Sequence, residues 1–295
     1  MSKQASHLIK ALDNWSRDLA RPATPPEGVW GRVCVVRIGS NITIDSKDLD
    51  ADFQIPFDDD MEPNEATITL FNLSKLTTSG IKKGDPISVT AGYEGDTGVV
   101  FSGFISETKS KWAEADRQII IKAFDDMNPK DKKLDSISYS KGTKASKILR
   151  DLIDRLKLPV AVFSAARDHT YDSAVTVDGD LAENIRRYAQ VCGISVFISK
   201  GKVFARKLSE GENLNFIVSK ETGLIGEPEE FTEKQTIEGF EDEVRGWRVR
   251  MLLQHRIAAG GIIHLKSRQV TGTFRVRNGE HSMDDAGAIT EFEVV

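Results

Sequence analysis

The chain has 295 residues, 39% of them hydrophobic and 29% charged, with a formal net charge of −5. That length exceeds what one hydrophobic core usually serves, so two or three domains are expected, and the acidic balance argues against affinity built on neutralising phosphates. The longest apolar runs, Ile119–Ile121 and Met251–Leu253, are too short to cross a bilayer, and charged Lys3, Lys10, Asp13, Arg17 and Asp18 leave no secretory signal in the first segment, so a soluble protein made in a cytosol, without stable membrane binding, is expected.

In chain order, Leu8, Leu12, Trp15 and Leu19 fall on one stripe of a helix. The run Arg21-Pro22-Ala23-Thr24-Pro25-Pro26 ends it and predicts a stiff linker. The stripe either docks on a neighbouring subunit or packs back on its own chain. From Trp30 to Phe124 the pattern becomes period two: Val33 and Val35 with Arg37; Ile42 and Ile44; Phe53, Ile55 and Phe57; Ala66, Ile68 and Leu70; Ile87 and Val89; Val99 and Phe101; Ile119, Ile121 and Ala123. Turn residues at Gly39-Ser40-Asn41, Pro63-Asn64, Lys83-Gly84-Asp85-Pro86 and Glu94-Gly95-Asp96 separate these segments. Short half-buried strands with no long helix among them predict a small barrel or sandwich.

Helical spacing then takes over. Ala145, Ile148, Leu149, Leu152, Ile153 and Leu156 predict a helix from about Thr143 to Leu156, stopped by Pro159. Leu181, Ile185, Tyr188, Ala189 and Cys192 predict a second, beginning near Asp180 and closed by Gly193. Ile194–Ile198 and Lys202–Ala205 flank Ser199-Lys200-Gly201 as a hairpin. Beyond Ile225 alternation returns through Trp247, Val249 and Met251, Ile263 and Leu265, Phe274 and Val276, and Ile289, Phe292 and Val294. The expected division is 1–29 helix and linker, 30–135 first β-domain, 136–212 α+β insert and 213–295 second β-domain: a mainly β chain with an α+β insert. The two β-regions echo each other, since Gly84–Val89 leading to Phe101–Ile105 resembles Gly261–Leu265 leading to Thr271–Val276. The echo is either a structural repeat or a chance likeness of antiparallel segments.

A family resemblance rests on an ordered set of motifs. Phe71-Asn72-Leu73-Ser74, Ile81-Lys82-Lys83-Gly84-Asp85, Val89-Thr90-Ala91-Gly92-Tyr93 and Gly98–Ile105 come first. Gly179–Ile185 and Gly193–Phe197 follow, then Leu224–Pro228, Gly246–Arg250, Leu252–Ile257, and Gly272–Val276 with Gly279-Glu280-His281. Over about residues 30–295 this series resembles bacteriophage baseplate or tail-tip hub proteins, of the kind similar to late control protein D. The resemblance implies two β-barrel-like tube domains joined by a small α+β domain. It also implies a homotrimeric ring between a sixfold tail tube or distal tail protein and a threefold spike, ending the tape-measure protein and letting DNA pass through the lumen. It places the chain in the virion tail, assembled in the bacterial cytoplasm. The N-terminal helix and proline linker do not map onto the motif set.

No catalytic, cofactor or metal residues are expected. The histidines at positions 7, 169, 255, 264 and 281 show no HExxH or HxH spacing, and GxSxG, GxxxxGK[ST] and strand-linked GxGxxG motifs are missing. Cys34 and Cys192 lie far apart without a CxxC partner, so neither a disulfide framework nor a zinc site is suggested. Asp125-Asp126 and Glu229-Glu230 read as turn carboxylates, Lys130–Lys133 and Arg186-Arg187 as solvated charge. The acidic run from Asp45 to Glu65 (Asp45, Asp48, Asp50, Asp52, Asp58, Asp59, Asp60, Glu62, Glu65) is a solvated loop, a calcium site, or, on the hub reading, a lumenal surface that repels DNA. The expectation is therefore a non-enzymatic structural hub. The alternatives are a tail-associated cell-wall hydrolase, which needs an acid or metal-bound water in a cleft, and a carbohydrate-binding tail protein, which needs exposed aromatic platforms.

Overall fold

Period-two alternation becomes an almost wholly antiparallel β architecture in the computed structural model, which describes residues 31–59, 63–113, 116–125, 133–207, 211–237 and 240–295. The expected N-terminal helix and proline linker lie outside the described residues.

The first β-region contains β1 (Arg32–Ile38), β2 (Ile42–Asp45), β3 (Ala51–Phe57), β4 (Glu65–Phe71), α1 (Lys75–Gly80), β5 (Pro86–Tyr93), β6 (Asp96–Ala113) and β7 (Asp116–Phe124). Its strands pair in the order β3-β4-β7-β6-β5-β1-β2. Phe53, Ile55, Ala66, Ile68, Leu70, Ile87, Val89, Ile119, Ile121 and Ala123 are buried between them, as alternation predicts. In β1 the phase is the reverse of the one expected. Cys34, Val36 and Ile38 face the core, whereas Val33 and Val35 are half-buried. Both faces of this strand are apolar, and the exposed Arg37 decides between them by holding the odd-numbered set toward solvent. Helix α1 was not expected. Ser74 starts it by accepting the Thr77 N–H at 3.0 Å.

The insert holds β8 (Lys133–Tyr139), α2 (Ala145–Asp154), β9 (Val160–Phe163), β10 (Val175–Asp180), α3 (Leu181–Val191), β11 (Ser195–Ser199) and β12 (Lys202–Arg206). Strand β8 crosses the expected 135/136 boundary and pairs with β10. Helices α2 and α3 bury the stripes read from the sequence against each other and against β11 and β12. Lys200 and Gly201, with φ of 49° and 72°, supply the left-handed pair that a tight β11–β12 turn requires. Asp180 caps α3 by accepting the Glu183 N–H at 2.9 Å. Asp180→Ala is expected to cost about 1 kcal/mol, seen as a lower urea midpoint at unchanged slope.

The last region contains β13 (Glu212–Val218), β14 (Glu229–Ile237), β15 (Phe240–Leu252), β16 (Gly261–Lys266), β17 (Thr271–Asp284) and β18 (Gly287–Val294). Its strand order β14-β15-β18-β17-β16 repeats β3-β4-β7-β6-β5 member by member, and both sets occur in the same chain order. The correspondence extends to register. A bulge between Ile105 and Glu107 in the β6–β7 ladder has its counterpart between Val276 and Asn278 in the β17–β18 ladder. Buried Ile105 matches Val276, Ile87 and Val89 match Ile263 and Leu265, and Ile68 and Leu70 match Val249 and Met251. The echo in the sequence is thus a repeat of topology and core face. Its glycines exchange places with phenylalanines: Phe101 precedes Gly103 by two residues, whereas Gly272 precedes Phe274 by two. In each strand the aromatic ring lies across the glycine, where a Cβ would stand 2.8 Å from Phe101 Cζ or 2.9 Å from Phe274 Cε2. The repeat ends at the next strand, since β1 runs antiparallel to β5 but β13 runs parallel to β16.

The two regions are fused by β17. Its first half pairs with β16, and its second half pairs with β3 from Gly279 opposite Phe57 to Met283 opposite Phe53. One hydrogen-bonded sheet therefore spans both, with β14 and β2 at the ends of its path.

Candidate assembly surface

The loop after β15 locks the three cores together. Gln254 Nε2 donates to Asp96 Oδ2 at 3.1 Å and Arg256 Nη1 donates to the same oxygen at 2.7 Å. Burial alone would raise the Asp96 carboxyl, but these hydrogen bonds, with the nearby His255 and Arg256, hold it below the usual carboxylate range. The His255 ring rests directly on Gly98, where a Cβ would stand 2.1 Å from its Cδ2. Lys200, from the β11–β12 turn, donates to the His255 carbonyl, and Arg206 Nη2 donates to the Gly260 carbonyl at 2.8 Å. Tyr93 Oη donates to the Ala288 carbonyl at 3.0 Å. Leu253, Met283 and Ala288 complete the core of the first region from the second.

Two histidines are buried in this junction. His281 Nε2 donates to the Ile257 carbonyl at 3.1 Å, because a carbonyl only accepts, and its Nδ1 therefore accepts from the Thr290 hydroxyl at 2.9 Å. Burial pushes His281 down to about 3, with the Lys200 charge adding to the effect. Burial likewise pushes His255 down to about 3, followed by Lys200 and Arg256, although Asp96 acts the other way. Its Nδ1 is buried 3.8 Å from Asp96 Oδ1 and makes no hydrogen bond among the described residues. His281 braces the junction through its two hydrogen bonds, and His255 does so by packing on Gly98.

The remaining residues considered for chemistry do not converge. His169 packs edge-on against Tyr171, His264 hydrogen-bonds Thr273, and His7 lies outside the described residues. Among the described residues no three His, Cys, Asp or Glu side chains gather closely enough to hold a metal ion. Burial, then Asp45 and Asp52, pushes the Cys34 thiol up to about 12, and burial raises Cys192, so both are protonated thiols at neutral pH. Asp125 is structural, accepting from the Asn64 backbone and side chain at 3.0 and 3.2 Å, while Asp126 lies outside the described residues. The acidic run is divided. Asp59 pairs with Arg275, Glu65 with Lys122, and Asp45 accepts the Lys47 N–H, whereas Asp52 is raised by burial and by the carboxylates of Asp285, Asp284 and Asp50.

What the fold leaves open is backbone. Strand β5 covers one side of β6 only as far as Phe104. From Ser106 to Ala113 β6 has β7 on one side and, among the described strands, none on the other. The outer side of β14 is open in the same sense. Residues Glu107–Trp112 are all exposed, and Trp112 is 73% accessible. Asn72 ties the neighbouring α1 segment to this tip through Asp116 and the Arg117 N–H, and places Leu76, 86% accessible, at the same end of the region. Free edges and exposed apolar side chains are features that soluble proteins conceal unless they serve association. Sequence reading missed this surface, although a signal was present: alternation stops at Ile105, yet Ser106-Glu107-Thr108-Lys109-Ser110-Lys111 continues the strand with polar residues.

A family model described as "Baseplate hub gp41" matches residues 66–282. No curated protein matches the chain. Among solved structures, the chain is similar to the 43 kDa tail protein of prophage MuSo2 from Shewanella oneidensis, with a TM-score of 0.63 and 11% identity over 90% of this chain and 98% of that one. A tail protein from Neisseria meningitidis MC58 gives a TM-score of 0.62 at 10% identity over 90% and 96% of the two chains. The E. coli c3393 protein, described as a type VI secretion component with structural similarity to the T4 tail proteins gp27 and gp5, gives 0.62 at 10% identity over 88% and 76%. At such identities the likeness speaks for the fold, whereas the family match covers most of the chain, reaching from β4 in the first half of the repeat through the insert to β17 in the second. The chain belongs to the baseplate hub gp41 family, and is a structural component of a phage tail.

Proposed function

We propose that three copies of this chain form a ring at the tail tip that joins a sixfold tail tube to a threefold spike. The observation that carries this reading is the repeat: the same five strands in the same order, twice in one chain. A closed ring of three such chains offers six similar stations to the tube and retains threefold symmetry for the spike. In this reading residues 30–135 and 213–295 are the two tube domains and 136–212 the insert. The partners are the tail tube or distal tail protein, the tape-measure protein and the central spike. DNA passes through the lumen, where the carboxylates of the Asp45–Asp52 stretch would repel phosphates. Assembly takes place in the bacterial cytoplasm. The family is a baseplate hub family, and two of the similar structures are tail proteins, which favours a non-enzymatic hub over a wall hydrolase.

Native mass measurement of the purified chain, combined with class averages of negatively stained rings, tests the proposal. The expected result is a trimer whose top view shows six similar lobes. A stable dimer or tetramer would overturn it, and turnover of peptidoglycan would return the hydrolase reading.

A further inference from the structure

Resting on the ring reading, we propose that its subunits are stitched by an antiparallel β-ladder between the open half of β6 in one copy and the outer edge of β14 in the next, with Lys111 opposite Glu229. The argument is internal to the chain. In the repeat β17 corresponds to β6, and β14 corresponds to β3. Within one copy the second half of β17, after its bulge, takes β3 as its partner. The second half of β6, after the matching bulge, has no partner on that side among the described strands. The strand equivalent to β3, which is β14, has an open outer edge. Each half of the repeat therefore has the member that the other half of the next copy lacks, and the contact is head-to-tail, as a closed ring requires.

Register follows from the same correspondence. Gly279, Glu280, His281 and Ser282 of β17 face Phe57, Pro56, Ile55 and Gln54 of β3. Their counterparts in β6, counted from the shared bulge and confirmed at the turns where Ala113 matches Asp284, are Thr108, Lys109, Ser110 and Lys111. The counterparts of Phe57, Pro56, Ile55 and Gln54, taken through the β3–β4 and β14–β15 ladders, are Thr232, Phe231, Glu230 and Glu229. The transferred pairs are Thr108 with Thr232, Lys109 with Phe231, Ser110 with Glu230, and Lys111 with Glu229. Charge supports this register. Lys111 stands directly opposite Glu229, and Lys109 stands diagonal to it on the same face. The next pair, Glu107 with Glu233, sets two carboxylates opposite, but Lys109 and Arg277 already neutralise them within the chain. Pro228, which has no N–H, ends the ladder on the β14 side. All four β6 residues are exposed in the single chain, as are Glu229, Glu230 and Thr232, so the edges are free to meet.

The full chain tests this directly. A Lys111→Cys, Glu229→Cys protein should form dimer- and trimer-sized bands on a non-reducing gel after mild oxidation, because directly opposed strand residues lie within disulfide reach. Cys34 and Cys192 are buried, so wild type should give no such bands. Lys111→Glu should weaken trimer association by about tenfold or more, and adding Glu229→Lys should restore it. Far-UV circular dichroism shows whether these surface variants keep the fold. A wild-type trimer whose cysteine pair stays unlinked and whose Lys111→Glu variant remains trimeric would overturn the seam while leaving the ring intact. A wild-type chain that forms another oligomer would overturn both.

Discussion

Acidification from pH 7 to pH 5 is expected to remove about 4 kcal/mol of folding stability through His255 and His281 alone. Both imidazoles are held neutral in the fold, with values pushed down to about 3 from an ordinary 6.5, in each case first by burial and then by Lys200. In the unfolded chain they take up protons near 6.5; in the folded chain they do so only near 3. Unfolding therefore binds protons throughout that interval. The stability is fully present above pH 6.5 and declines as pH falls toward 3, by about 2 kcal/mol for each group at pH 5. Asp96, held below its normal range, adds a further loss only under more acidic conditions. Urea titrations across this range measure the slope. In a His281→Gln protein, where the amide can still donate toward the Ile257 carbonyl, about half of the loss should disappear. A stability that is flat from pH 7 to pH 5 would mean that the junction admits protons or water.

The second large effect concerns the glycine beneath Phe101. A Cβ on Gly103 would stand 2.0 Å from the Phe124 carbonyl oxygen and 2.7 Å from its carbon. Both are backbone atoms of the adjoining strand, so no rotamer change relieves the contact, and β6 must move away from β7. Gly103→Ala is expected to cost about 3 kcal/mol, with much of it appearing as faster unfolding. Gly287→Ala is the matched control, since its nearest neighbour would be Ile289 at 3.8 Å and its φ is not in the left-handed region. That variant should stay within about 0.5 kcal/mol of wild type. Equal stabilities for the two variants would show that the strands are not packed as closely as this geometry requires.

Much of the fold was legible because burial imposes its period on composition. Ile119, Ile121 and Ala123 can only alternate inward, and the stripes of α2 and α3 locate those helices within two residues of their ends. Legibility failed where physics offered no contrast. In β1 both faces are apolar, so alternation alone does not distinguish the inward set from the outward one. Helix α1 covers six residues, too few for a helical period to declare itself. Strand β14, Glu-Glu-Phe-Thr-Glu-Lys-Gln-Thr-Ile, is too polar to show an inward face. The junction was out of reach for another reason. Asp96 meets Gln254 and Arg256, and Gly98 meets His255, across most of the chain, and nothing local in either segment announces the other.

The continuity of β17 has a mechanical corollary. One strand is laced first to β16 and then to β3, so a force that drags one half of the molecule past the other along the strand direction loads those backbone bonds side by side. Shear of this kind must break the whole row at once, whereas peeling would release it bond by bond. Pulled along that axis, the two halves should yield together in a single rupture event at high force, the behaviour suited to a part that transmits load without hinging.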